Sequence, residues 1–90
     1  MAQQVADRRD VDFVLHEQLN VQDLSRHEQF EDFNKKTIDM VVSEARNLAI
    51  KELLPHLKEA DETGCTFDNG TVRVPKVFHR AYKLFADGEW

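Results

Sequence analysis

Residues that punctuate or cross-link a chain are scarce here, with three glycines, two prolines and one cysteine among ninety residues. The single Cys65 has no internal disulfide partner, which suits a reducing cytoplasm. With Gly64 before it and no histidine close by in sequence, it reads as an inert, partly buried thiol. No Gly-rich loop is present to cradle a phosphate. No run approaches the ~20 apolar residues of a membrane span. After Arg8-Arg9 comes Asp10-Val11-Asp12, where an export signal requires an apolar stretch. Cations are also in the minority. Twelve Lys and Arg stand against seventeen Asp and Glu, a formal charge of -5, and the cations are spread along the chain with no basic stripe. That surface repels a phosphate backbone, which argues against nucleic-acid binding.

What remains is the composition of a folded chain, 41% hydrophobic and 32% charged. Ninety residues make one domain with a modest core. Residues 1–9 are polar and read as a flexible arm, and residues 10–90 as a helical domain. Asp10 or Asp12 is placed to cap a short helix carrying Val11, Phe13, Val14, Leu15 and Leu19. Asn20 closes it, because asparagine tolerates the left-handed conformation. Val21 and Leu24 pin a polar connector, and Ser25 caps a further turn through Phe30.

From about Glu31 to Glu62 there is no glycine and only one proline, Pro55. Ile38, Val41, Val42, Ala45, Leu48, Ala49, Leu53 and Leu57 recur at the spacing of one helical face. Asn34 or Thr37 is suited to cap this long helix. Asp39 lies near its positive end. Pro55 predicts a kink or break, followed by a short helix to Asp61 and a stop at Gly64. The period then changes. Asn69-Gly70 between β-prone flanks predicts a two-stranded hairpin, 66–68 against 71–73, that needs helices to rest on. Pro75 opens the last helix, whose face is Val77, Phe78, Ala81, Tyr82, Leu84 and Phe85. Gly88 ends it. The fold class expected is all-α, with three principal helices and one small hairpin.

A search for chemistry finds no catalytic, cofactor-binding or metal-ligating set. His16, His27, His56 and His79 fall in four segments with no pair at i, i+4, and read as surface histidines. The acid clusters Glu28/Glu31/Asp32 and Glu59/Asp61/Glu62 read as solvated faces, since acid–base work requires a pocket that shifts a pKa. Ser25 and Ser43 lack a nucleophile's context. More informative is a second apolar stripe, Met40, Ile50 and Leu54, pointing away from the main face at roughly 100° per residue. It predicts a helix covered on both sides. Trp90, directly after Gly88-Glu89, adds to this reading, because the sequence starts like a native protein and closes like a cut one. Met40, Ile50, Leu54 and Trp90 are therefore the expected interface, toward missing domains or, in their absence, toward a second copy in a weak homo-oligomer.

The order of these pieces carries a resemblance. A helix around Asp12-Phe13-Val14-Leu15 leads through a polar connector to a long helix ending near Leu54-Pro55. Asp61–Gly64, Asp68-Asn69-Gly70-Thr71-Val72, Pro75, Ala81-Tyr82, Phe85, Gly88 and Trp90 follow. Over residues 10–90 this resembles the N-terminus of the acyl-CoA dehydrogenase flavoenzymes, in particular the larger subfamily with an extended N-terminal segment. The resemblance implies a parent oxidoreductase of fatty acid metabolism that uses FAD to dehydrogenate an acyl-CoA thioester and passes electrons to an electron-transferring flavoprotein. In that family the glutamate base and most FAD and CoA contacts lie in later domains. No catalytic residue carries over, and Glu44 and Glu52 are not candidates for the base. Residues 1–90 would be part of the N-terminal helical domain and catalytically silent alone. The alternative is a self-sufficient helical protein–protein interaction module.

Overall fold

A computed structural model of the chain describes residues 5–90, and the chain divides into two compact units, 1–47 and 48–90. The architecture is mainly α, with four α-helices and a two-stranded antiparallel sheet among the described residues. None of these helices is long and apolar enough to cross a membrane.

In the first unit, α1 (Arg8–Asp12) opens on Asp7, whose carboxylate accepts the Arg9 amide at 2.8 Å. The cap thus lies upstream of Asp10 and Asp12, the two residues that the sequence favours. Of the expected arm, residues 1–4 lie outside the described residues, and Arg8 and Arg9 are helical. A wide π-helical turn, Phe13–Gln18, extends α1, with the Leu19 amide bonded to the Val14 carbonyl. Asn20 then takes the left-handed conformation (φ 50°, ψ 48°), as its side chain suggests. Two 3₁₀ turns follow, Val21–Arg26 and Glu28–Phe30. Ser25 does not cap the second turn. It lies inside the first and donates to the Gln22 carbonyl at 2.8 Å. Helix α2 (Lys35–Leu48) is capped by Asn34, whose side-chain oxygen accepts the Thr37 amide at 2.9 Å while its carbonyl takes the Ile38 amide.

In the second unit the helix continues as a π turn, Ala49–Leu53, in which the Leu54 amide reaches five residues back to Ala49. A 3₁₀ turn, Leu54–His56, contains Pro55. Helix α3 (Leu57–Thr63) follows and ends at Gly64, whose φ is 66°. The break at Pro55 is the one expected, since proline has no amide to give and crowds the turn before it. The π turn was not foreseen, and it adds a residue to one turn and rotates every later side chain. Leu53 and Leu57, which the uninterrupted period places in the core, are 39% and 60% exposed, whereas Ile50 and Leu54 of the second stripe are half-buried.

Strands β1 (Thr66–Asp68) and β2 (Thr71–Arg73) pair in the predicted register, Phe67 opposite Val72. Asn69 and Gly70 both have positive φ, 55° and 83°, as a two-residue hairpin turn requires. All six strand residues are exposed, so the ribbon presents its side chains to solvent and does not cover them with helices. Helix α4 (Val77–Asp87) packs on α3 and on the π turn. Its end is shaped by Trp90, whose ring stacks on Phe85 (centroids 6.3 Å apart, planes 5° apart). A Cβ at Gly88 would meet the Trp90 indole at 2.9 Å, so a larger residue there requires the indole to shift. Cys65 is exposed, contrary to the partly buried thiol expected.

The Asn34 cap gives a direct test. Asn34→Ala should lower stability by about 1 kcal/mol through loss of the bond to the Thr37 amide. A change in urea midpoint equivalent to less than a few tenths would show that the cap contributes little.

Candidate functional site

The only buried polar residue among those described is His16, 8% exposed. It is a surface residue on sequence grounds, and two sets of i, i+4 neighbours explain why it is not one. Arg8, Asp12 and His16 follow one another every four residues along α1 and its wide turn. Lys35, Asp39 and Ser43 do the same along α2. Four-residue spacing stacks side chains on one helical face, and here the two polar rows meet.

Arg8 links them. Its Nε donates to Asp12 Oδ1 at 2.9 Å, Nη1 to Ser43 Oγ at 2.8 Å and Nη2 to the Asp39 carbonyl at 3.3 Å. The His16 ring makes the second link, with Nε2 lying 2.6 Å from Asp39 Oδ1. Lys35 Nζ donates to the other oxygen of Asp39 at 3.2 Å. Gln22 holds the ring from the opposite side. The left-handed turn at Asn20 doubles the chain back, and the Gln22 amide nitrogen donates to the His16 carbonyl at 3.2 Å. That bond orients the amide so that its oxygen faces His16 Nδ1 at 3.0 Å.

Both ring nitrogens therefore face acceptors, and only the doubly protonated imidazolium can donate to both. The pKa moves accordingly. Hydrogen bonds to Gln22 and Asp39 raise it above the ordinary 6.5, against burial and the Lys35 charge, which lower it. The hydrogen bond from His16 holds the Asp39 carboxyl below its ordinary 3.8, with Lys35 adding to the effect and burial opposing it.

Asp12, His16 and Asp39 offer one ligand atom each, all within 4.8 Å of one another, a set that a divalent cation could use. Protons and side-chain cations already occupy it, since the short His16–Asp39 bond takes Nε2, Arg8 takes Asp12 and Lys35 takes Asp39. In the protonated ring both nitrogens donate, to Gln22 and to Asp39, and Ser43 accepts from Arg8, so the cluster ties the two rows together as an ionic clamp.

The expected interface residues lie elsewhere. Met40, in the first unit, is 61% exposed, and Trp90, in the second, is 48% exposed while stacked on Phe85. Ile50 and Leu54 are half-buried. The second unit also carries a shallow apolar groove of about 260 Å³ lined by Leu48, Leu53, Phe78, Ala81, Tyr82 and Phe85. Comparison with protein-family models, with curated proteins and with solved structures finds no match for this chain.

Arg8→Met tests the clamp. It keeps most of the aliphatic stem and removes three donated bonds, two of them to acceptors on α2. Allowing for partial exposure, the loss should be about 1–2 kcal/mol in urea unfolding followed by circular dichroism. An unchanged midpoint would mean that the guanidinium does not hold the two rows together.

Proposed function

We propose that this chain acts as a non-catalytic helical segment whose apolar surface is covered by further protein, and specifically as the N-terminal helical segment of an FAD-dependent acyl-CoA dehydrogenase. The observation that carries the first part is the imbalance of burial. Among the described residues only Ala60 and Ala81 are buried hydrophobics, alongside Pro75. Sixteen large hydrophobic side chains are exposed, among them Phe13, Met40, Leu57, Phe67, Tyr82 and Trp90. Each is between 39% and 75% exposed and so forgoes part of the roughly 1.5–3 kcal/mol that full burial would contribute. Apolar exposure on this scale supports the reading that further protein covers the chain.

The second part rests on the resemblance in the order of elements. A short helix leads to a long one broken at Pro55. A glycine stop, an Asn-Gly hairpin and a helix following Pro75 come next, and the chain runs on to Trp90. In this reading the segment supports the domain that shapes the acyl pocket, and FAD, the base and the contacts to an electron-transferring flavoprotein belong to the rest of the parent. A stand-alone interaction module would use the same exposed residues, with the α4 groove as its docking face.

An antiserum against residues 1–90 separates these readings in extracts of the source cells. The acyl-CoA dehydrogenase reading predicts that it captures a flavin-containing protein several times heavier than 10.5 kDa. Detection only at that mass, without flavin, would favour the module. The purified chain itself should bind no FAD and oxidise no acyl-CoA, and stoichiometric flavin absorbance in it would contradict the assignment as catalytically silent.

A further inference from the structure

The His16 cluster also has a consequence for conformation that is independent of what the chain belongs to. We propose that His16, Gln22 and Asp39 form a proton-controlled latch that fastens α1 and its wide turn to α2, and that loss of one proton from His16 to a solvent base releases it.

The argument is one of hydrogen-bond counting. The imidazolium has two N–H donors, and the two groups facing it are both acceptors, Gln22 Oε1 at 3.0 Å and Asp39 Oδ1 at 2.6 Å. A neutral ring has one donor. If the proton stays on Nδ1, the Nε2 lone pair confronts the Asp39 carboxylate at close range. If it stays on Nε2, the Nδ1 lone pair confronts the Gln22 oxygen. Rotating the Gln22 amide would supply an N–H to Nδ1, but it withdraws the amide nitrogen from the His16 carbonyl. Every neutral arrangement therefore breaks a bond that the protonated one makes. Because the ring is buried, water has little access to replace it.

The other charges around the ring set the limits of the device. On its own helical segment stand Asp12 and Arg8, and on α2 stand Asp39 and Lys35, while Gln22 on the intervening turn is neutral. Lys35 opposes the protonated state, and the bonds to Gln22 and Asp39 outweigh it. A folded-state pKa raised above the unfolded value contributes stability that is fully present below about 6.5 and lost as pH rises through the folded value. Asp39 behaves in the opposite sense. Its contribution is present above about 3.8 and disappears as pH falls through its depressed folded value. The latch is closed between these limits and opens reversibly as pH rises through the raised folded value of His16.

The test uses all ninety residues, labelled for NMR. The His16 ring is titrated from mildly acidic to mildly alkaline pH while amide exchange of residues 8–18, corrected for the intrinsic rate, is followed in the same samples. The expected result is a His16 midpoint above 6.5, with protection of residues 8–18 falling at the same midpoint. Asp39→Asn should lower the ring's proton affinity by roughly tenfold or more, and His16→Gln should remove the pH dependence of protection. A ring that titrates at or below 6.5, or protection that stays level through the titration, overturns the proposal. Should either variant fold poorly, coincidence of the two midpoints in the unmodified chain still decides the question.

Discussion

Asp39 is the point on which the N-terminal unit is organised. Its carboxylate accepts from His16 and Lys35, and its backbone carbonyl accepts from Arg8. Three basic side chains thus converge on one residue of α2, and two of them, Arg8 and His16, come from the segment that α2 must hold. Apolar contact does little of this work here. Val11, Leu15, Ile38 and Val42 are all only half-buried, and the most buried of the unit's described residues is His16. A buried ion pair contributes little net stability unless its remaining donors and acceptors are satisfied. In this cluster they are, and no buried side-chain nitrogen or oxygen among the described residues lacks a partner.

The C-terminal unit is organised differently. Pro55 interrupts the helix, the π turn before it shifts the phase, and the side chains that follow settle on a face other than the one a regular helix would use. Ala60 and Ala81 are small enough for α3 and α4 to come close, while Leu53, Leu57 and Tyr82 remain in solvent. Phe85 and Trp90 shield one another by stacking at the chain's end. Local polar and aromatic contacts therefore position the helices of both units, and much of the apolar surface stays exposed.

Features governed by the backbone preferences of single residues were legible in the sequence. Asn20 in the left-handed region, the hairpin turn at Asn69-Gly70, the break at Pro55 and the stop at Gly64 each follow from one residue's allowed conformations. Features governed by phase or by distant partners were not. The π turn inserts a residue without any glycine or proline of its own, so the face read through Leu53 and Leu57 came out exposed. His16 looked like a surface histidine because its partners are six and twenty-three residues away. A signal was nonetheless present in the matching i, i+4 rows Arg8/Asp12/His16 and Lys35/Asp39/Ser43. Each row reads as solvated alone, and the pair gains meaning only when two helices are known to meet.

The central claim is that the chain folds with an unusually small share of its apolar surface removed from water, the observation on which the proposed contact with further protein rests. The heat-capacity change of unfolding measures that share most directly, because exposure of apolar groups dominates it. Scanning calorimetry of the purified chain, at dilutions where it is monomeric, should give a value clearly below the ordinary 12–15 cal/mol/K per residue. A value within that ordinary range would mean that the isolated chain already buries a full core, and would contradict the account.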